Sequence, residues 1–246
     1  VDKEYLYAHP ERPLPKSAVT KYQELCRKRK DGVPAAYLLG HKYFYGLKFK
    51  VTKDVLIPRP ESEWLVEQAV NYARSKNKKT LRILDMGTGS GCLSICLAKE
   101  LKGLRLDLVA ADVSTPALTV AKQNANYHNI KINFIKSDLF NKIVGQFDII
   151  FANLPYVPRK SFKKLAESLK HEPSLAITTG DDTWEIYKKF LQQASDHVSK
   201  GSLILLEIDP LQKIGLAKEI KKWIPHAKIT FAKDIQNLWR SVAIQL

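Results

Sequence analysis

Two short stretches of this 246-residue chain carry residue types suited to ligand binding and group transfer. The first, Leu84-Asp85-Met86-Gly87-Thr88-Gly89-Ser90-Gly91-Cys92, follows one apolar run and precedes another. Glycines at such a strand-to-helix turn let the backbone approach a ligand without Cβ clashes, which makes this a nucleotide-cofactor loop. A dinucleotide fingerprint needs Gly or Ala where Cys92 stands, counting Gly87 and Gly89 as its first two glycines, so dinucleotide binding is the runner-up. At the end of the next apolar run Asp112 lies 21 residues beyond Gly91, a spacing suited to accepting hydrogen bonds from both hydroxyls of a ribose. The competing role for Asp112, a helix cap, falls to Ser114, with Pro116 in the first turn. The second stretch, Phe147 to Tyr156, is an apolar run that ends abruptly in Asn153, Leu154, Pro155 and Tyr156. Asn and Pro are ordinary exit-turn residues. Here they close a strand at the sheet edge where open α/β sheets gather their ligands.

Both stretches resemble motifs of class I methyltransferases. The Asp-x-Gly-x-Gly-x-Gly pattern over 85–91 resembles motif I, which implies S-adenosyl-L-methionine as cofactor. Asp85, Gly87, Thr88, Gly89, Ser90 and Gly91 would then surround it, with the Asp85 carboxylate near the sulfonium cation, and Asp112 would take the ribose. Asp138 would accept from the adenine amino group with Leu139 against the ring. Asn153 to Tyr156 resembles the Asn-Pro-Pro-Tyr motif of amino-directed methyltransferases, with Leu154 in place of the first proline. A planar amide or exocyclic nitrogen has two N–H donors and a delocalised lone pair, so two fixed acceptors must aim it at the methyl group. The Asn153 side-chain oxygen and the Leu154 carbonyl would supply them, Asn153 also bordering the cofactor, with Pro155 behind and Tyr156 as a flat wall beside the substrate. No general base is required, because positioning and dipoles do the work.

Over nearly its whole length the chain resembles the release-factor glutamine N5-methyltransferase family. The resemblance is carried by Pro34 to Gly40, by Phe44 to Phe49, and by Val55-Leu56-Ile57-Pro58-Arg59-Pro60-Glu61-Ser62-Glu63, with Ser62 where the family has Thr. His171 to Ala176, Gly180-Asp181-Asp182, Tyr187, and Leu206 to Asp209 with Gln212 extend it. It implies a peptide-chain release factor as partner, the glutamine of its Gly-Gly-Gln motif as acceptor, and Ile57, Pro58 and Arg59 at the substrate mouth. A nucleic-acid methyltransferase acting on adenine N6 or guanine N2 would use the same Asn loop but must extract a base. A catalytically silent cofactor-binding or ribosome-associated protein is the alternative of another class.

The elements that must hold these residues follow from pattern. Strand and helix signals alternate from about residue 60 onward, which predicts an α/β fold with a seven-stranded, mostly parallel sheet covered on both faces. Expected strands are 81–85, 107–111, 131–135, 147–152, 202–208, 228–231 and 241–246; expected helices are 61–74, 92–101, 115–127, 183–198 and 211–223. Ahead of these lie an N-terminal helical remnant over 1–40, with one helix at 17–30, and a linking β-hairpin within 41–59 that runs from Tyr43 to Ile57 and turns at Gly46. Residues 60–246 form the methyltransferase domain.

Composition excludes several classes. No apolar run approaches the ~20 residues that cross a bilayer, and six scattered histidines give no zinc-type spacing, so no metal is expected. Three cysteines, an odd number, suit a reducing cytoplasm. The only methionine is Met86 and no signal-peptide pattern precedes the fold, so a processed or truncated chain is expected. A net charge of +15 points to an acidic partner, with Lys160, Lys163, Lys164 and Lys170 after the Asn loop as steering candidates. Against that, 31 of the 40 basic residues are Lys, a commonly solvated residue, and only 9 are Arg.

Overall fold

The computed structural model describes residues 3–76, 78–180 and 182–246, without the side chains of Lys3, Lys163 and Lys164. Asp181 and the Lys163 and Lys164 side chains, singled out above, lie outside the described residues.

Helices α1 (Lys3–Ala8), α2 (Lys16–Lys30) and α3 (Ala35–Leu39) lead into a hairpin of β1 (His41–Phe44) and β2 (Leu47–Lys50). The hairpin turns on Tyr45 and Gly46, with φ of 49° and 71°, the doubly left-handed pair that matches the twist of flanking strands. It is shorter than its β-favouring composition suggests. After Lys50 the chain folds into a turn in which Thr52 Oγ1 accepts from Asp54 N at 3.2 Å and Val55 N reaches Thr52 O at 3.1 Å. Val51 and Val55 are therefore not strand residues but pack on Ala117 and Val120 of a later helix, and Ile57 is likewise buried. Burial, not strand pairing, explains the apolar pattern there. Helices α1 and α3 were absent from the sequence expectation, being too short to show a helical period.

The remainder alternates: α4 (Glu63–Ser75), β3 (Thr80–Met86), α5 (Cys92–Glu100), β4 (Arg105–Asp112), α6 (Thr115–Tyr127), β5 (Asn133–Lys136), β6 (Ile149–Ala152), the short α7 (Glu167–Lys170) and α8 (Ser174–Ile177), α9 (Glu185–Ala194), β7 (Leu203–Glu207), α10 (Lys213–Trp223), β8 (Lys228–Lys233) and β9 (Trp239–Gln245). The seven-stranded sheet runs β5-β4-β3-β6-β7-β9-β8, parallel except for β9. All seven expected strands and the five expected helices are present, with ends shifted by a few residues. The central strands read as continuous apolar runs because both of their faces are covered. Leu81, Ile83, Ile149, Phe151, Leu203 and Leu205 face α4 and α5; Leu84, Met86, Ile150, Ala152, Ile204 and Leu206 face α9 and α10. Each such Leu or Ile stabilises the fold by about 1.5–3 kcal/mol.

Strand order reverses between β3 and β6: the chain moves outward through β4 and β5, then returns to the other side of β3. At that reversal the connections leave in opposite directions and open a crevice at the strands' C-terminal edge. Among the described residues no helix is long and apolar enough to cross a membrane.

Candidate active site

The crevice is a cavity of about 660 Å³. Gly87, Thr88, Gly89 and Ser90 after β3, Asp112 ending β4, Asp138 and Leu139 after β5, and Asn153, Leu154 and Pro155 after β6 all line it, with Pro58 and Arg59 at one side. These segments are far apart in the chain, and the parallel sheet brings them to one edge.

The glycine loop is held in a conformation that needs its glycines. Gly87 has φ of 72° and Gly91 of 80°, and a Cβ on Gly91 would sit 3.3 Å from that of Ala121. Gly91 is therefore a packing contact between loop and α6 and does not line the cavity. A Cβ on Gly89 would meet only the Gly87 carbonyl at 4.0 Å and would otherwise project into open space. Such a bare surface fits a cofactor laid against main chain.

Asp85 corrects the expectation of direct cofactor contact. It is buried beneath the loop and is not among the lining residues; its Oδ2 accepts from Thr88 Oγ1 at 2.8 Å and Ser94 Oγ at 2.9 Å. Burial pushes its carboxyl up to about 6, opposed by those two hydroxyls. It braces the loop from behind.

Asp112 accepts from Gly89 N at 2.9 Å and from Ser114 N at 2.8 Å, one on each oxygen. A carboxylate has about four lone-pair sites, so acceptor capacity remains beyond these two backbone donors. Burial raises its carboxyl, and the backbone donors oppose the rise. Ser114 caps α6 by accepting from Ala117 N, as its position implies. Leu139 has φ of 45°, uncommon for a branched residue, and its carbonyl accepts from Ser137 Oγ at 2.7 Å. That local bond holds Leu139 at the cavity wall.

Asn153 donates from Nδ2 to Glu207 Oε2 at 2.9 Å and to Ser62 Oγ at 3.3 Å. Ser62 Oγ also donates to Glu207 Oε2. The Leu154 carbonyl lies 3.3 Å from the Tyr187 hydroxyl, which reaches the Glu207 carbonyl at the shorter 2.8 Å. The Leu154 side chain packs toward the glycine loop, its Cδ2 3.7 Å from where a Gly87 Cβ would be. Tyr156 departs from the expected wall. It packs partly buried on the core behind the loop and does not line the cavity, because the extended segment pairing Val157 with Thr178 alternates its side chains. Burial, with the nearby Glu207 carboxylate, raises its phenol.

Ile57 also stays out of the cavity, but its N–H donates to Glu172 Oε2 at 3.0 Å while Arg59 Nη2 donates to Glu172 Oε1 at 2.5 Å. Glu172, its side chain 2% exposed, thereby fixes the strap that presents Pro58 and Arg59. Of the steering lysines, Lys160 is exposed and Lys170 is paired with Glu167 at 2.7 Å. Sequence reasoning assigned no role to Ser62, Glu172 or Glu207, nor to Glu185, Lys189 and Gln193, which α9 presents to the cavity. The last three are spaced i, i+4, i+8, a stripe readable from sequence.

This fold and cleft are those of a class I methyltransferase. The family model of the methyltransferase small domain matches residues 65–196, and that of the PrmC N-terminal domain matches 1–40. The release factor glutamine methyltransferase of Koribacter versatilis is 38% identical over 87% of this chain and 78% of its own length; that of Lactococcus lactis is 38% identical over 90% and 81%. The chain belongs to the release factor glutamine methyltransferase family. Among solved structures, the hMettl16 catalytic domain bound to a MAT2A 3′UTR hairpin shares the fold, with a TM-score of 0.66 at 16% identity over 91% of this chain and 92% of that one.

Proposed function

We propose that this chain transfers a methyl group from S-adenosylmethionine to the side-chain amide nitrogen, N5, of the glutamine in the Gly-Gly-Gln motif of a peptide-chain release factor. Asn153 carries the reading. With its Nδ2 committed to Glu207 and Ser62, Oδ1 remains as the acceptor for a substrate N–H, beside the glycine loop. Bound S-adenosylmethionine supplies the methyl group as an electrophilic sulfonium carbon. Loop residues 87–90 and Asp112 hold its amino-acid and ribose parts, and Asp138 and Leu139 its adenine. Asn153 Oδ1 and the Leu154 carbonyl accept hydrogen bonds from the two amide N–H groups and keep the nitrogen aimed at the methyl carbon. As the N–C bond forms and the sulfonium S–C bond breaks, with a neutral thioether as leaving group, the N–H becomes acidic and its proton leaves to water, so the chain needs no side-chain base.

Residues 60–246 are the catalytic domain in this reading. The N-terminal helical segment 3–40 and the linker 41–59 form the release-factor side of the cleft, with Pro58 and Arg59 at its mouth. Supporting this, Tyr37 donates to the Val55 carbonyl at 2.6 Å, and a His171 ring nitrogen lies 3.0 Å from the Asp31 carbonyl. The free thiols of Cys26, Cys92 and Cys96 suit a reducing cytoplasm.

The test incubates the chain with S-adenosylmethionine and either a release factor or single-stranded oligonucleotides, followed by mass spectrometry. One added methyl on the Gly-Gly-Gln glutamine is expected. Methyl found on the oligonucleotide and none on the glutamine overturns the reading in favour of a nucleic-acid substrate.

A further inference from the structure

Glu207, the last residue of β7, is 3% exposed and has no part in the chemistry above. Three elements converge on its carboxylate: Ser62 from the start of α4, Asn153 from the end of β6, and β7 itself. Its main-chain carbonyl takes the Tyr187 hydroxyl that also approaches the Leu154 carbonyl. One residue thus touches the supports of both proposed acceptors of the substrate amide.

The consequence follows from donor and acceptor inventory. An ionised carboxylate only accepts hydrogen bonds. Facing one, Asn153 must present its NH₂, which turns its carbonyl oxygen toward the cavity. The protonated acid carries an O–H that donates, and it pairs equally well with the Asn153 oxygen after a half-turn of the amide. That half-turn exposes an NH₂ to the cavity, and an NH₂ cannot accept from the substrate's N–H.

We infer that Ser62 and Glu207 are positioning residues that hold Asn153 in its acceptor orientation only while Glu207 is ionised, so that turnover is switched off when this carboxylate takes up a proton. The inference rests on the glutamine-amide reading above. Burial raises the Glu207 carboxyl above the ordinary glutamate range; the Ser62 hydrogen bond, Arg240 and Arg59 oppose the rise, and Glu61 adds to it. The other groups facing the region are Asn153, the phenols of Tyr156 and Tyr187, Asp209, and Ser241 opposite Glu207 on β9. The shift brings the protonation step closer to neutral pH.

The test is kcat against pH at saturating S-adenosylmethionine with a Gly-Gly-Gln peptide, with the cofactor Kd measured at each pH. In the parent, kcat should fall through a single acid limb lying above the ordinary glutamate range. Because Asp112 borders the cofactor and Asp85 braces the loop that holds it, their titration appears in Kd rather than in this limb. Glu207→Gln cannot ionise and presents oxygen or NH₂ alike, so kcat should drop by about 10², the scale of lost alignment, and the acid limb should vanish. Ser62→Ala should lower kcat and move the limb to higher pH, and Ser62→Thr should restore both, which keeps the test open if Glu207→Gln fails to fold. An acid limb retained in Glu207→Gln, or unmoved in Ser62→Ala, overturns the inference while leaving the function standing. A parent that does not methylate the peptide overturns both.

Discussion

Replacing Glu172 with alanine should destabilise the protein well beyond what a surface ion pair would. The Glu172 side chain is 2% exposed, Arg59's is 31% exposed, and the Ile57 backbone is buried. Alanine leaves the Ile57 N–H without its partner, a loss of about 1–3 kcal/mol. It also removes a charge-assisted bond from Arg59, nominally about 1.5–3 kcal/mol, discounted because the guanidinium can reach water. The sum is about 2–4 kcal/mol. Arg59→Ala should cost about 3–5 kcal/mol for the opposite reason, since it strands a buried carboxylate. The double variant should lose much less than the two singles added together, because the second truncation removes the group the first left unpaired. Urea unfolding of the four proteins at pH 7 measures all three quantities. A Glu172→Ala effect within about 0.5 kcal/mol of zero, the surface range, or simple additivity, refutes a buried clamp and returns Arg59 to solvent.

Asn153→Ala should lower kcat by about 10² to 10³ while the cofactor Kd, from calorimetry, stays near the parental value; parental turnover would mean the amide is oriented elsewhere. Asp112→Ala should weaken S-adenosylmethionine binding by about 1.5–3 kcal/mol in a folded protein, and an unchanged Kd would move the ribose away from Asp112. Asp85 is raised by burial from 3.8 to about 6, so its favourable contribution to stability is whole below pH 4 and is lost as pH rises through 6. Asp85→Asn keeps an acceptor for Thr88 and Ser94 without the charge, so between pH 4 and 7 the stability difference should move toward the variant by about 2 kcal/mol. A difference that stays flat in urea titrations at several pH values rejects that assignment. If Lys160 and its neighbours steer an acidic partner, added salt should lower kcat/KM for an intact release factor far more than for a short neutral peptide.

The elements were legible where the signal was local. Apolar runs such as 81–86 and 149–152 announce strands buried on both faces, and Ser114 with Pro116 announces the start of α6. The lining residues at 87–90, 112, 138–139 and 153–155 were legible because each sits at or just past a strand's C-terminus, and a doubly wound sheet delivers all such ends to one edge. Side-chain direction was less so. Asp85 lies within the motif yet faces backward to Thr88 and Ser94, and Tyr156 lies within its motif yet packs on the core. The stretch from Val51 to Ile57 misled because β-branched residues favour any half-buried surface, a strand or the flank of α6 alike.

What sequence spacing could not reveal are the pairings that make the outlying motifs intelligible. The Ile57 to Glu63 stretch and the His171-Glu172-Pro173 stretch are more than a hundred residues apart and carry none of the reacting groups, yet Glu172 binds the former at both Ile57 and Arg59. Ser62, in that same stretch, reaches 145 residues ahead to Glu207. Each pairing sets a buried carboxylate against donors on a segment bordering the cavity, and a carboxylate left unpaired at such burial is strongly destabilising. The two acids therefore dictate where the strap and the start of α4 can lie relative to the Asn153 loop. A Ser at position 62 satisfies this constraint as well as a Thr, because the constraint is on the hydroxyl.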